Sequence, residues 1–119
     1  MKQRDIVSLL RHEFGHHEVT VFSASAKNRA GVLDCEIAYD GESIWIEIKI
    51  DRDTLKPLQE KFMERHGNSS YLLYYYPDTK TFVLFKYSLI SNEITLLIER
   101  KTFKEITDYI TDKYTNDHL

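Results

Sequence analysis

At 119 residues the chain has room for one hydrophobic core and is too short for two domains, so a single domain over residues 1–119 is expected. Hydrophobic residues make up 42% and charged residues 29%, the balance of an ordinary globular fold rather than of a disordered or fibrous chain. A formal net charge of −3 excludes a molecule that gathers nucleic acid by bulk positive charge, so any such contact needs a local basic surface or metal ions set against the carboxylates.

Cys35 is the single cysteine, which leaves no intramolecular disulfide and no thiol-rich metal site. The sequence shows no secretory, membrane-spanning or lipidation signal. A cytoplasmic, intracellular protein is expected, with no membrane partner; its compact form also suits a phage protein acting inside the host cell.

Ile6, Val7, Leu9, Leu10 and Phe14 fall at helical spacing within residues 2–14, and Gly15 stops that helix. His16 and His17 at its end do not converge as ligands one turn apart would. Cations there are favoured by the helix dipole, so a structural reading is preferred over a metal site. Residues 18–22 read as a short strand. The loop 23–31 is made of small residues with Ser23, Ser25, Lys27 and Arg29 among them. It reads as a flexible connector or, functionally, as a loop whose hydroxyls, amides and cations receive phosphate oxygens.

Leu33 to Tyr39 alternates, with Asp34 and Glu36 on one face and Cys35 inward. Asp40-Gly41, followed by Glu42 and Ser43, predicts a hairpin. Ile44, Ile46, Ile48 and Ile50 then occupy one face of the returning strand, which leaves Trp45, Glu47 and Lys49 on the other. Antiparallel pairing brings Asp34 near Glu47 and Lys49. Two carboxylates and a lysine on one sheet surface suit a hard divalent cation and an activated water.

Asp51 to Thr54 ends the strand, and Asp53 or Thr54 is expected to cap a helix that runs to about His66 and stops at Gly67. Leu55, Leu58, Phe62 and Met63 form its buried stripe, with Gln59 beside the stripe and looking onto the sheet. Tyr71–Tyr76 is apolar throughout, as a strand covered on both faces is. Residues 77–80 turn the chain and Thr81–Tyr87 returns. The fold class that follows is α/β, a central mixed β-sheet of about five strands flanked by helices. Glu93 to Ile98 reads either as a further short strand or as part of the last helix. Phe103, Ile106, Ile110 and Tyr114 place that helix between about Thr102 and Lys113, with a fraying tail over 115–119.

The ordered set Gly31-Val32-Leu33-Asp34, a hairpin, Trp45-Ile46-Glu47-Ile48-Lys49, and a helix carrying Gln59 resembles the PD-(D/E)XK nuclease superfamily. Within it the likeness is to the small VRR-NUC nucleases and to the archaeal and phage Holliday-junction resolvases, over roughly residues 3–87. Leu33 stands where the P-D signature has its proline. The resemblance implies a restriction-endonuclease-like fold and a metal-dependent DNA endonuclease acting as a homodimer on branched DNA. It also implies an acid from the first helix, for which Asp5 is the first candidate and Glu13 the second.

The residue types fit that chemistry. Phosphodiester hydrolysis needs a water deprotonated near neutral pH and a means of stabilising charge on the phosphoryl oxygens. Asp34 and Glu47 would hold magnesium (Mg2+) or manganese (Mn2+), with the Ile48 carbonyl as a further ligand. Lys49 would orient the attacking water, and Gln59 would position that water or a phosphate oxygen. Flap or restriction-type cleavage is equally compatible with these residues. The alternative is a catalytically inactive nuclease-fold module that binds DNA or inhibits a partner. An oligomeric structural protein with coincidental charges is weaker still. A dimer interface could use the Tyr-rich strands 71–76 and 82–87 or the C-terminal helix, although most of those aromatics read as core.

Overall fold

The computed structural model describes residues 1–22, 32–66, 69–88 and 90–117. In chain order the elements are α1 (Gln3–Phe14), β1 (Val19–Val21), β2 (Cys35–Tyr39), β3 (Glu42–Ile50), α2 (Pro57–His66), β4 (Ser70–Tyr76), β5 (Thr81–Ser88), β6 (Glu93–Arg100) and α3 (Phe103–Asp117). The six strands form one sheet in the order β1-β2-β3-β4-β5-β6. Every neighbouring pair is antiparallel except β3 and β4, which run parallel because α2 carries the chain back between them. Among the described residues the fold is thus α/β with a mixed sheet and three flanking helices. None of the described helices is long and apolar enough to cross a membrane.

Local chemistry sets the turns. Asp40 and Gly41, at φ 51° and 80°, join Tyr39 to its partner Glu42 by a two-residue turn that needs positive φ at both positions. Asp51, at φ 55°, breaks the run of β3, and its N–H donates to the Tyr75 carbonyl at 2.9 Å. Gly15, at φ 104°, ends α1 with its N–H on the Arg11 carbonyl at 2.9 Å.

Strand alternation sorts the core into two layers. Cys35, Ile37, Ile44, Ile46, Ile48, Leu73 and Leu84 face one way and pack with Ile6, Val7 and Leu10 of α1 and with Phe103, Ile106 and Ile110 of α3. The other face carries Leu33 and Leu72 against Phe62 and Met63 of α2, with Trp45 and Tyr74 partly buried beside them. Ile46 is fully buried at the centre of the larger layer. Ile46→Ala is expected to cost about 2–5 kcal/mol, read from the urea midpoint.

Four expectations are corrected. The sheet has six strands rather than about five, because Glu93–Arg100 is a full strand and not the start of a helix. Helix α2 begins at Pro57 rather than after Asp53 or Thr54, since a residue preceding proline is disfavoured in the helical region and proline is pre-shaped for the first helical position. Leu58 is 49% exposed instead of buried, and Leu55, ahead of the helix, still packs against the smaller layer. Helix α3 continues to Asp117. Tyr71, Tyr75, Phe82 and Tyr87 are buried inside the fold, in line with the reading of most of these aromatics as core.

Candidate active site

The site is built where β2 has not yet begun. At Asp34 the backbone ladder to β3 has ended, and the side chain takes it over: the Ile48 N–H donates to Asp34 Oδ2 at 2.7 Å. The Asp34 N–H in turn donates to Glu47 Oε1 at 3.0 Å. The Phe22 N–H on the Asp34 carbonyl, at 3.0 Å, ties in the end of β1.

Lys49 follows Glu47 by two residues and so shares its face. Its Nζ lies 3.0 Å from Glu47 Oε2 and donates to Gln59 Oε1 at 3.2 Å. Gln59 Nε2 donates to Glu47 Oε2 at 2.7 Å, closing a ring of three side chains. Gln59 Oε1 also accepts the Lys56 N–H at 3.0 Å. This is half of a capping box, with Lys56 as N-cap, Pro57 first in the helix and Gln59 third. The amide orientation is therefore set by its surroundings, with oxygen toward two donors and nitrogen toward a carboxylate.

Burial separates this cluster from a surface ion pair. Asp34 is 1% exposed, Glu47 2%, Gln59 5% and Lys49 7%. Burial, then the charge and hydrogen bonding of Asp34, pushes the Glu47 carboxyl from 4.5 up to about 7, with Lys49 pulling the other way. When both carboxylates are ionised they face one ammonium, an excess of negative charge that a divalent cation would balance. Their oxygens are hard donors, and the Ile48 carbonyl leaves β3 on the same edge as its N–H, the edge at which Asp34 sits. The donor set fits Mg2+ or Mn2+.

Of the residues expected from the sequence, Asp34, Glu47, Lys49, Gln59 and the Ile48 backbone come together. Asp5 does not: it is exposed at the start of α1, where its carboxylate accepts the Lys2 N–H at 2.6 Å as an N-terminal cap. Glu13 sits at the other end of α1, 4.0 Å from Lys104 of α3. The buried residues of α1 join the layer on the opposite side of the sheet from α2, which keeps both acids away from Glu47. Among the described residues no group of three or more His, Cys, Asp or Glu gathers as a metal cluster. Ser23, Ser25, Lys27 and Arg29 lie outside the described residues, as does Gly67.

Tyr74 was not singled out from the sequence, yet it is the parallel partner of Lys49 on β4 and walls the site. Its hydroxyl donates to the Asp53 carbonyl at 2.7 Å. Burial and the nearby Tyr76, Asp53 and Glu47 raise its phenol above the usual range. Only the β3–β4 register reveals it, and a crossover connection hides that register from the sequence. No family model, curated protein or solved structure matches the chain.

Gln59→Leu removes the partner of two donors and one carboxylate oxygen in a buried network. It is expected to lower stability by roughly 2–3 kcal/mol in guanidinium unfolding. An unchanged midpoint would mean that Gln59 holds nothing in place.

Proposed function

We propose that this chain is a metal-dependent DNA endonuclease with a restriction-endonuclease-like fold, selective for branched structure in the manner of Holliday-junction resolvases. The observation that carries the reading is the buried Asp34–Glu47–Lys49–Gln59 network. A buried charged cluster is weak evidence for stability, because apolar residues of similar size often serve as well or better. Its presence across two strands and a covering helix is therefore better explained by chemistry. A leading helix, an Asp at the start of one strand, Glu-X-Lys on the next and a Gln on the following helix support the same reading.

Asp34 and Glu47, with the Ile48 carbonyl, would hold Mg2+ or Mn2+, which supplies Lewis acidity toward phosphoryl oxygens and acidifies water. Hydrolysis adds water to phosphorus, breaks one P–O bond, and moves one proton from the water to the departing oxygen. Lys49 presents its ammonium to the attacking water and to the charge that develops on the phosphoryl oxygens. Gln59 is a positioning residue, since its amide is engaged at both ends in holding Lys49 and Glu47. Tyr74 and α2 exclude bulk water, which strengthens each of these interactions.

Paired cuts across a symmetric junction call for two copies of the chain. The outer edge of β6, with Leu96 on it and Ile90 at its hairpin both exposed, supports pairing there. The absence of Asp5 and Glu13 from the cluster favours one second reading, a nuclease-fold module that binds DNA without cutting. Four-way junction, flap, duplex and single-stranded substrates, each with and without Mg2+ or Mn2+, separate the two. Metal-dependent nicking of branched DNA is expected; binding without nicking at any metal concentration would select the second reading.

A further inference from the structure

A groove of about 690 Å³ opens between α1 and the edge strand β1, lined chiefly by Lys2, Arg4, Ser8 and Arg11 of the helix segment and Val21 of the strand. Three cations meet here in a chain whose net charge is −3, so the patch stands against the sign of the whole molecule. The nearest acid on the helix, Asp5, already accepts the Lys2 N–H at 2.6 Å. Arg11 Nε is buried and finds no hydrogen-bond partner among the described residues. That Nε is enclosed by protein, but Arg11 as a whole is only half-buried, and the terminal N–H groups of its guanidinium suit the oxygens of a phosphate.

The groove lies close to the acidic cluster. Val21 pairs with Cys35, the neighbour of Asp34, and precedes Phe22, whose N–H holds the Asp34 carbonyl at 3.0 Å. Strand spacing and rise put the groove wall on the order of 10 Å from Asp34. At about 3.4 Å of duplex axis for each phosphate of one strand, that is about three nucleotides. Val21 belongs to the α1 side of the sheet and the Asp34–Glu47 network to the α2 side, so a bound strand would cross the β1 edge of the sheet.

We propose that this groove holds the phosphodiester backbone of the DNA about three nucleotides from the bond presented to Asp34 and Glu47. The inference rests on the nuclease reading and names a second point of substrate contact for it. The site reads backbone charge, not sequence.

The test is fluorescence anisotropy with a labelled four-way junction, without divalent metal, over a range of NaCl. Lys2→Gln/Arg4→Gln/Arg11→Gln is expected to bind about 10²- to 10³-fold more weakly near 0.1 M salt. Its slope of log affinity against log salt should fall by about 2–3, near 0.9 for each phosphate that is no longer neutralised. Lys80→Gln, an exposed cation in the turn between β4 and β5, should change neither quantity. Lys2→Gln/Arg4→Gln touches only exposed side chains and should lose about two-thirds of the effect, so the test stands even where the Arg11 change unfolds the protein. An unchanged slope in both groove variants, a loss matched by the Lys80 variant, or capture of anionic vesicles or an acidic peptide instead of DNA overturns the proposal. Groove-dependent binding with no cutting in Mg2+ or Mn2+ would overturn the nuclease reading alone. Cutting with groove-independent affinity would overturn the groove alone.

Discussion

Lys49→Ala is expected to slow cleavage of a branched DNA by about 10²- to 10⁴-fold under single-turnover conditions, while junction affinity changes by less than about threefold. The ammonium lies beside Glu47 at 3.0 Å and is held from the other side by Gln59, so it is pre-aimed at the acidic pair. Removing it takes away a donor at the reacting centre but leaves Asp34 and Glu47 to engage the metal. The variant also leaves Glu47 buried without its ammonium, so stability should drop more at pH 8 than at pH 5. A variant that cuts at the wild-type rate would take Lys49 out of the reaction. One that loses binding in step with cutting would make it a substrate anchor instead.

The second large effect is on stability, and its sign follows from Glu47. The folded carboxyl titrates near 7 against 4.5 for the free group. A carboxyl raised on folding favours the folded state fully below about pH 4.5, and that contribution is lost as pH rises through about 7. In EDTA the protein is therefore expected to be less stable at pH 8 than at pH 5, by on the order of 3 kcal/mol from this group, or about 10 °C in Tm. Glu47→Gln should flatten that part of the profile. Millimolar Mg2+ or Mn2+ should restore stability at pH 8 and have little effect at pH 5, where the proton competes. A wild-type profile flat from pH 5 to 8 in EDTA would show that Glu47 does not carry the burden of burial assigned to it.

Much of the site was legible because it rests on short-range periodicity. Ile44 to Ile50 alternates without a break, and the Asp40-Gly41 turn fixes how the strand before it pairs. Together they place Asp34 beside Glu47 before any tertiary contact is considered. Gln59 was reachable because the crossover helix must lie over the same face. What failed was less local. Leu96, Leu97 and Ile98 form an unbroken apolar run because Leu97 is the extra residue of a bulge, with Phe85 paired to Leu96 and Leu84 to Ile98. That break erased the period that would have marked β6 as a strand. Pro57 was a start signal for α2 that competed with two conventional capping residues and prevailed. Asp5 sits where an acid suits both a metal and a helix N-terminus, and the backbone claims it.

Electron paramagnetic resonance of Mn2+ titrated with protein tests the cation site most directly. Wild type is expected to quench the signal of free Mn2+ by binding at Asp34 and Glu47, and Asp34→Asn/Glu47→Gln, folded by circular dichroism, should leave that signal at full height. Equal quenching by both proteins, or none by the wild type at millimolar concentrations, would contradict the account.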